Sequence, residues 1–434
     1  MNFSFLKKTL FKETIVYTAT DIVGKAMSFI LLPVVSYYMS PAELGMATNF
    51  AVMAQLILLL AGLAVVNSLP YFFYEQDREE NILLVSNLLI LCTTLCGILS
   101  VAILICHHYV YDYLQLDLDI QLLSVFFVLG NLVSQTNLIL LRLENKARHY
   151  AYLQIAQVVL HVLLVVVFVV ILRGGGVGKI YAEVLVFSLI GLLHLFLLYR
   201  KGYLKFRLDM RWIKTLLKFG VPLLPHSVSF WLKGGMDKVF ITTCCGLQYN
   251  GLYSMALSVG ALYTMLVQSF FNAYTPYLQK LLTGFDGPGD FWEDKKRIVK
   301  RIYLIYMLFF VVGVLSTGGA WIIFRFFIDL EYMPAFEYVP IIIFAGFIYT
   351  FYNFTIQFIY KVKKTLIMGC ITFTGSLIQM LLSYWFINLF GVIGAAYSLL
   401  IGNTLITLGI FVYSNKVYKM PWFSFRNRKE LEIN

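Results

Sequence analysis

The 434-residue sequence has few charged residues and lacks the motifs that mark most enzymes. Asp, Glu, Lys and Arg make up 13% of the chain, about half the share of an ordinary soluble domain. No phosphate-binding glycine loop, HExxH motif or nucleophile elbow occurs. The six cysteines lie mostly in apolar segments without metal-ligand spacing, so we interpret them as buried free thiols. These absences argue against a soluble domain and predict a protein that is not an enzyme and has no cofactor or metal.

Long apolar segments take the place of these motifs. Hydrophobic residues make up 60% of the sequence, and a bilayer span needs about 20 consecutive, mainly apolar residues. Twelve such windows occur, joined by short connections, and they predict an all-α integral membrane protein. The windows are 13–39, 45–69, 82–106, 120–141, 151–172, 180–199, 219–243, 251–275, 302–328, 337–360, 365–388 and 392–413.

The distribution of basic residues indicates the orientation in the membrane. Lys and Arg accumulate on cytoplasmic loops. If the N-terminus is inside, 28 of the 34 Lys and Arg residues lie in inside segments and three lie outside. The other three, Lys25, Lys233 and Lys238, lie within predicted spans. We therefore predict two cytoplasmic termini, and we attribute the net charge of +11 to topology rather than to nucleic-acid binding.

Two stretches of the sequence match after a shift of 206 residues. The shift places Gly45 on Gly251 and Pro70 on Pro276, each proline being followed by tyrosine. In both copies we expect a turn before the glycine and an apolar segment after it. We infer an internal duplication into two halves of six spans. Since six is even, both halves enter the membrane the same way up and form a parallel pseudo-two-fold repeat.

The repeat predicts how the chain divides. We expect an N-terminal six-helix lobe over 1–199, a basic linker over 200–218, a C-terminal six-helix lobe over 219–413 and a basic cytoplasmic tail over 414–434. The linker is basic and amphipathic, as is typical of helices that lie on an anionic inner leaflet. A plain tether with ordinary inside charges explains its composition equally well.

Five charged residues lie in the interior of predicted spans 1 and 7. A charge at the centre of a bilayer costs about 2.5–3.5 kcal/mol on insertion scales. Asp21 and Lys25 are four residues apart and share a helix face, and so do Lys233 and Asp237. Together with Lys238, these residues have a net charge of +1. Either the pairs neutralise themselves and fix helices together, or they line a cationic cavity. We predict the three lysines as anion contacts and the two aspartates as groups that organise them or bind a coupling proton.

Polar residues at helical spacing occur within spans of both halves. Each one alone is explained better by hydrogen bonds between helices. Their concentration in both halves favours a shared, water-filled interior. The predicted cavity lining comprises Asn131, Gln135, Gln157, His161, Gln268, Asn272, Asn353 and Gln357.

Helix-breaking residues cluster in the same two spans. Pro33 lies late in span 1, Pro222 and Pro225 lie in the first turns of span 7, and Gly234 and Gly235 lie beside its charges. Proline removes a backbone hydrogen bond and kinks a helix. We predict spans 1 and 7 as hinged gates, with kinks that serve only packing as an equal alternative.

Several short motifs resemble one known family. Residues 219–225 (FGVPLLP) are similar to its FGxPLxP entry to span 7, and Asp237-Lys238 resembles its Asp-Arg/Lys pair. Residues 251–256 (GLYSMA) resemble its GxYxxA start of span 8, and residues 41–45 (PAELG) resemble its xxEYG pattern with Leu44 in place of the aromatic. The family is that of the bacterial O-antigen and polysaccharide flippases. Its superfamily includes the multidrug and toxin extrusion antiporters and the lipid II flippase.

The resemblance implies a two-lobed transporter in the bacterial inner membrane. Such a protein moves an undecaprenyl-diphosphate-linked oligosaccharide from the cytoplasmic to the periplasmic leaflet by alternating access. Membrane lipid, H⁺ or Na⁺ are the other expected partners, and we expect a monomer, alone or with polysaccharide assembly proteins. Asp21 and Lys25 are not part of the family pattern.

Two other functions remain open at this point. A cation-coupled multidrug antiporter of the same superfamily should have a cavity dominated by carboxylates, whereas lysines outnumber aspartates three to two in spans 1 and 7. A membrane-embedded glycan polymerase needs a large catalytic loop, and the longest predicted external loop, 107–119, is short.

Overall fold

The computed structural model describes residues 3–205, 207–285 and 291–423, except the side chains of residues 3–15, 18, 21, 25, 28 and 365. Within this part of the chain, all regular secondary structure is helical. The α5 helix continues as a π-helix over Val166–Ile171. The helices of the first half are α1 (Phe3–Tyr38), α2 (Pro41–Gly62), α3 (Arg78–Leu114), α4 (Leu118–Leu143), α5 (Ala147–Val165) and α6 (Gly175–Arg200).

The second half repeats this plan after a short helix in the linker, α7 (Met210–Gly220). Short helical segments also occur at Val65–Ser68, Leu69–Phe72, Val221–Leu223 and Leu330–Tyr338. The long helices of the second half are α8 (Leu224–Cys244), α9 (Leu247–Thr283), α10 (Trp292–Phe326), α11 (Val339–Lys361), α12 (Thr365–Phe390) and α13 (Ile393–Val417).

Each of the twelve predicted spans coincides with one long helix, which confirms the all-α membrane fold. Ten of the helices in the described residues are long and apolar enough to cross a membrane: α2 to α6 and α9 to α13. The α8 helix is not among them because it contains three charged side chains, Lys233, Asp237 and Lys238. The chain is therefore a multi-pass membrane protein.

The predicted limits of several elements were wrong. The second helix ends at Gly62 rather than near residue 69, because Leu63 and Ala64 adopt left-handed backbone angles. Pro70 consequently lies in a separate short helix, whereas Pro276 lies inside the long α9 helix. The expected loop at 107–119 is mostly helical too, since α3 continues to Leu114.

The two glycines that define the sequence repeat pack against each other. A Cβ atom added at Gly45 would overlap the carbonyl oxygen of Leu247, and one added at Gly251 would overlap that of Pro41. The 206-residue shift that places Gly45 on Gly251 also places Pro41 on Leu247. The contact between α2 and the start of α9 is therefore reciprocal, as a local two-fold relation requires.

The linker is bound to the start of α3 by main-chain hydrogen bonds. The Ser86 hydroxyl donates to the Tyr203 carbonyl oxygen at 3.0 Å and accepts from the Lys205 amide at 2.8 Å. One residue later, the Asn87 side chain donates to the Arg207 carbonyl oxygen at 3.1 Å and accepts from the Asp209 amide at 2.8 Å. These bonds hold residues 203–209 of the linker against α3, and the role of the linker remains a prediction.

The α7 helix completes this attachment with an amphipathic face. Trp212 and Leu216 are buried, whereas Arg211, Lys214 and Lys218 are exposed. The Trp212 indole donates to a Glu80 carboxylate oxygen at 2.7 Å. The predicted amphipathic character is confirmed, and its apolar face packs on the protein.

The contacts of the chain divide it into two compact units. The first comprises Met1–Met255 with Ile328–Tyr332, and the second comprises Ala256–Phe327 with Met333–Asn434. The α8 helix and the start of α9 thus belong to the first unit. The predicted lobe boundaries follow the sequence repeat instead, and they remain a prediction.

Candidate functional site

A group of charged residues occupies the middle of α8 in the first unit. Asp237 is buried, with 4% of its surface exposed, and Lys233 and Lys238 are half-buried. The Asp237 carboxylate interacts electrostatically with both lysines and with the buried Tyr253 of α9. The group has two positive charges and one negative charge, so it has a net positive charge beside a buried carboxylate.

Close packing of α8 on α2 positions this group. The Trp231 indole donates to the Val52 carbonyl oxygen at 3.1 Å. A Cβ atom at Gly235 would lie 3.2 Å from the Trp231 indole nitrogen, which is tighter than most real contacts. A Cβ atom at Gly234 would meet nothing within 4 Å. A side chain at position 235 would therefore require the Trp231 and Val52 side chains to shift by a few tenths of an ångström, whereas packing gives no reason for glycine at position 234.

A second buried polar group, one turn beyond Lys238, was missed by the sequence reasoning. The Asn49 side chain donates to the Leu114 carbonyl oxygen at 2.7 Å, and its own oxygen accepts from Asn250 at 2.7 Å and from Thr242 at 3.2 Å. Asn49, Thr242 and Asn250 are at most 1% exposed. This asparagine cluster (Asn49, Thr242 and Asn250) joins α2, α3, α8 and α9. In the sequence, this cluster was indicated only by Asn49 within a predicted span and Asn250 next to one.

The predicted lining residues of the first unit lie on α4 and α5, and some of them contact one another or their neighbours. Gln135 donates to Asn131 at 2.9 Å, and Ser134 donates to Gln157 at 3.5 Å. The buried His194 ring nitrogen is 3.2 Å from the Ser134 carbonyl oxygen. The contacts of Ser134 with Gln157 and His194 join helices, whereas that of Gln135 with Asn131 lies within α4, and the predicted role in a cavity remains a prediction.

His161 faces an ion pair that the sequence reasoning did not use. Lys179 and Glu183 of α6 are four residues apart, with a nitrogen–oxygen distance of 2.5 Å and side chains 21% and 17% exposed. Half-buried His161 of α5 interacts electrostatically with both of them. The i, i+4 spacing of opposite charges was the signal for this pair.

The predicted lining residues of the second unit form two separate contacts. Gln268 donates to Asn272 at 2.9 Å, and both side chains are exposed. Gln357 is buried and accepts a hydrogen bond from Gln279 at 3.2 Å, while its nitrogen donates to the Asn353 carbonyl oxygen at 3.2 Å. The second contact is of the kind that joins helices.

Other predicted residues have defined positions but untested roles. The side chains of Asp21 and Lys25 are outside the described residues. Pro33 lies inside α1, Pro222 lies in the helical turn Val221–Leu223, and Pro225 lies in the first turn of α8. The hinge role of these prolines remains a prediction.

A half-buried carboxylate, that of Glu144, anchors the turn between α4 and α5, outside the spans. Glu144 lies 2.9 Å from Lys146 and 3.6 Å from Lys201, and it accepts a hydrogen bond from the Tyr203 hydroxyl at 2.8 Å. Burial alone would raise the pKa of Glu144, but the hydrogen bonds from Lys146 and Tyr203 and the charges of both lysines lower it overall. The ionised carboxylate therefore stabilises this end of the first unit.

The described residues contain no group of three or more His, Cys, Asp and Glu side chains that could hold a metal ion. What α8 offers chemically is a net positive charge beside a buried carboxylate. Such a group can bind an anion and can hold or release a proton.

Comparison with known proteins identifies a matching family model and relatives of similar sequence. The family model described as polysaccharide biosynthesis protein matches residues 10–282. "Lsg locus putative protein 1" of Haemophilus influenzae is 22% identical over 318 residues, which is 72% of this chain and 74% of that protein. An uncharacterized membrane protein of the same organism is 20% identical over 365 residues, which is 82% of this chain and 85% of that protein.

Solved structures with the same fold are transporters. An inward-facing multidrug resistance MATE family transporter of the MOP superfamily matches with a TM-score of 0.68 and 15% identity, over 93% of this chain and 97% of that chain. The lipid II flippase MurJ in an inward closed conformation also matches with a TM-score of 0.68, at 14% identity over 93% of this chain and 87% of that chain. The fold of the chain is that of these transporters, and the resemblance inferred from the sequence is confirmed. The matched region spans more than half of the chain, and the chain belongs to the polysaccharide biosynthesis protein family.

Proposed function

We propose that this chain is a flippase for polyprenyl-diphosphate-linked oligosaccharides. It moves them from the cytoplasmic to the periplasmic leaflet of the bacterial inner membrane, with both termini in the cytoplasm and without enzymatic chemistry. Membership of the polysaccharide biosynthesis family and the fold shared with a lipid II flippase support this proposal. The distribution of Lys and Arg along the sequence supports the orientation.

The observation on which the proposal depends is the net positive charge of α8. Lys233 and Lys238 flank a buried carboxylate, so one lysine charge remains in excess even if the other is neutralised by Asp237. A diphosphate group is a strong partner for ammonium groups at low dielectric. We assign the two lysines, with Lys25, as contacts to the diphosphate and Asp237 as the group that positions them.

In the proposed transport cycle, the reciprocal contact of Gly45 and Gly251 keeps the periplasmic side closed. In the proposed orientation, the starts of α2 and α9 lie at the periplasmic side. The glycine contact and the asparagine cluster hold these two starts together. Release of a substrate into the periplasmic leaflet requires them to separate, and Asn49, Thr242 and Asn250 must then exchange their mutual hydrogen bonds for water or substrate.

The coupling ion is H⁺ or Na⁺ in this proposal, and Asp237 is its candidate site in the described residues. A carboxylate that accepts a proton or a cation changes the net charge of the α8 group. The change alters its attraction for a diphosphate and so links ion binding to substrate binding. Asp21 is assigned the same role from its sequence position alone.

A cation-coupled multidrug antiporter is the competing function. Its substrates are cationic, so its site should have an excess of carboxylates. The described part of the α8 group has two lysines for one aspartate, which favours an anionic substrate.

The test is surface polysaccharide production in a strain in which this chain is the sole flippase. We expect Lys233→Ala with Lys238→Ala to abolish surface polysaccharide, while Lys280→Ala, which changes an exposed lysine of α9, leaves it normal. Immunoblots must show equal protein levels. Normal polysaccharide in the double variant would refute the anion site, and drug sensitivity without a polysaccharide defect in a deletion strain would favour the antiporter.

A further inference from the structure

A groove opens between α12 and α13 in the second unit. It lies where α12 begins and α13 ends, and its volume is about 530 Å³, within the range of about 300–1,000 Å³ that is typical of ligand sites. Its walls are formed by Lys364, Leu366, Ile367, Tyr413, Lys416 and Val417.

Tight packing of the two helices fixes the shape of the groove. A Cβ atom at Gly375 would overlap Ile406, and one at Gly409 would lie 2.9 Å from a methyl carbon of Ile371. The residue numbers increase along one helix as they decrease along the other, so the helices are antiparallel in a fixed register. The groove continues this contact toward the start of α12.

Two lysines line this groove. Lys364 directly precedes α12, and Lys416 lies in the last turn of α13. Both are exposed, and the described lining contains no carboxylate. Two ammonium groups that line one groove repel each other, and a bound anion reduces that repulsion. Charge complementarity therefore favours an anionic occupant.

The apolar walls restrict the kind of anion. Leu366 and Ile367 are 82% and 49% exposed, and Tyr413 and Val417 pack on the buried core of α11, α12 and α13. A soluble anion would use the two lysines and leave these apolar surfaces uncovered. An acyl chain covers them while its phosphate lies between the lysines.

We propose that this groove binds an anionic phospholipid of the surrounding membrane. Its phosphate contacts Lys364 and Lys416, and an acyl chain lies along Leu366 and Ile367. Basic pockets between membrane helices are known to bind anionic lipid headgroups in this manner. The proposed orientation places this end of α12 and α13 at the cytoplasmic side, so the lipid belongs to the cytoplasmic leaflet. Only this choice of leaflet rests on the proposed function, and the lipid site itself goes beyond it.

Native mass spectrometry of the purified full-length chain tests this proposal. Phosphatidylglycerol and phosphatidylethanolamine with the same acyl chains are titrated separately, and phosphatidylglycerol should bind more tightly. Lys364→Ala and Lys416→Ala should each weaken its binding about fivefold, and together about 25-fold. Lys280→Ala, an exposed lysine elsewhere in the second unit, should leave the affinity unchanged.

Three results would overturn the lipid site. They are equal affinity for both lipids, unchanged phosphatidylglycerol binding by the double variant, and full displacement of the lipid by inorganic phosphate. The last result would identify a site for soluble anions. Gel filtration of each variant confirms that the fold is intact. Because the measurement involves no transport, failure of the flippase proposal and failure of the lipid site are distinguishable.

Discussion

The two compact units satisfy their buried polar groups in different ways. In the first unit, amide side chains join separate elements: Asn49 bonds with Asn250, and Asn87 bonds with the main chain of Arg207. In the second unit, many buried hydroxyls bond with a carbonyl of their own helix, as Thr350 and Ser376 do. The second unit has helix-joining amide contacts too, between Gln279 and Gln357 and between Asn403 and the Ala345 carbonyl oxygen, and other contacts also join its helices.

Aromatic rings supply many of those other contacts. In the second unit, the rings of Phe271 and Phe354 are 4.7 Å apart, and those of Tyr306 and Phe347 stack at 4.3 Å. Among the described residues, the one buried charged side chain is Asp237, in the first unit. The described part of the first unit therefore contains a buried carboxylate, and the described part of the second unit contains no buried charged side chain.

The largest loss of surface polysaccharide is expected from Gly251→Leu, which disrupts the reciprocal contact between α2 and α9 in the first unit. Any side chain at this position would overlap the Pro41 carbonyl oxygen, so α2 and α9 cannot return to contact and surface polysaccharide should fall to background. The matched control is Gly97→Leu in α3, because Gly97 is exposed and a Cβ atom there meets nothing within 4 Å. Normal polysaccharide in Gly251→Leu would show that the contact is dispensable.

A core change in the second unit should affect stability and leave the substrate interaction intact. Phe354 is fully buried, and Phe354→Ala should lower the free energy of unfolding by about 4 kcal/mol. Thermal unfolding in detergent measures this loss. Substrate binding by the folded fraction should be unchanged, and a selective loss of binding at normal stability would contradict the division of roles.

Asp237→Asn should lower both the stability of the protein and its binding of substrate. Its loss of stability should be smaller than that of Phe354→Ala. The change leaves two lysine charges without the carboxylate between them, at a cost of about 3 kcal/mol. Adding Lys233→Met should restore part of the unfolding temperature, because one of the two charges is then removed. No recovery in the double variant would show that Lys233 and Asp237 do not interact.

The smallest effect is a pH-dependent one at Glu144, outside the spans. Because its pKa is lowered in the folded protein, its stabilisation is present above the ordinary carboxyl pKa of about 4.3. The stabilisation is lost as the pH falls from there through the lower folded pKa. Glu144→Gln should therefore cost about 1 kcal/mol at pH 7 and nothing at the acidic end. Exposed Glu75→Gln should cost nothing at either pH.

The helices could be predicted because a membrane span is a local property of the sequence. Twenty apolar residues in a row predict one helix wherever they occur, and each of the twelve windows became a helix. The end of α2 could not be predicted, because Leu63 and Ala64 adopt left-handed angles that favour glycine. Tertiary contacts must compensate for that local cost.

The site was predictable only where its members share a helix. The i, i+4 spacing is enough to place Lys233 and Asp237 on one helix face. The asparagine cluster was not predictable, since Asn49 and Asn250 are 201 residues apart. Helical spacing does not say which faces of distant helices meet. For the same reason, the hydrogen bonds between Asn87 and the linker could not be predicted from the sequence.

The fit of Gly45 against Gly251 also constrains how the two copies of the sequence repeat can diverge. One residue inserted near either glycine would rotate it by about 100° around its helix axis, and a bulkier neighbour would then meet the opposite carbonyl. A second insertion in the other helix would rotate its glycine away as well and would not restore the fit. The number of residues from the start of each helix to its glycine should therefore be constant among natural variants of this chain.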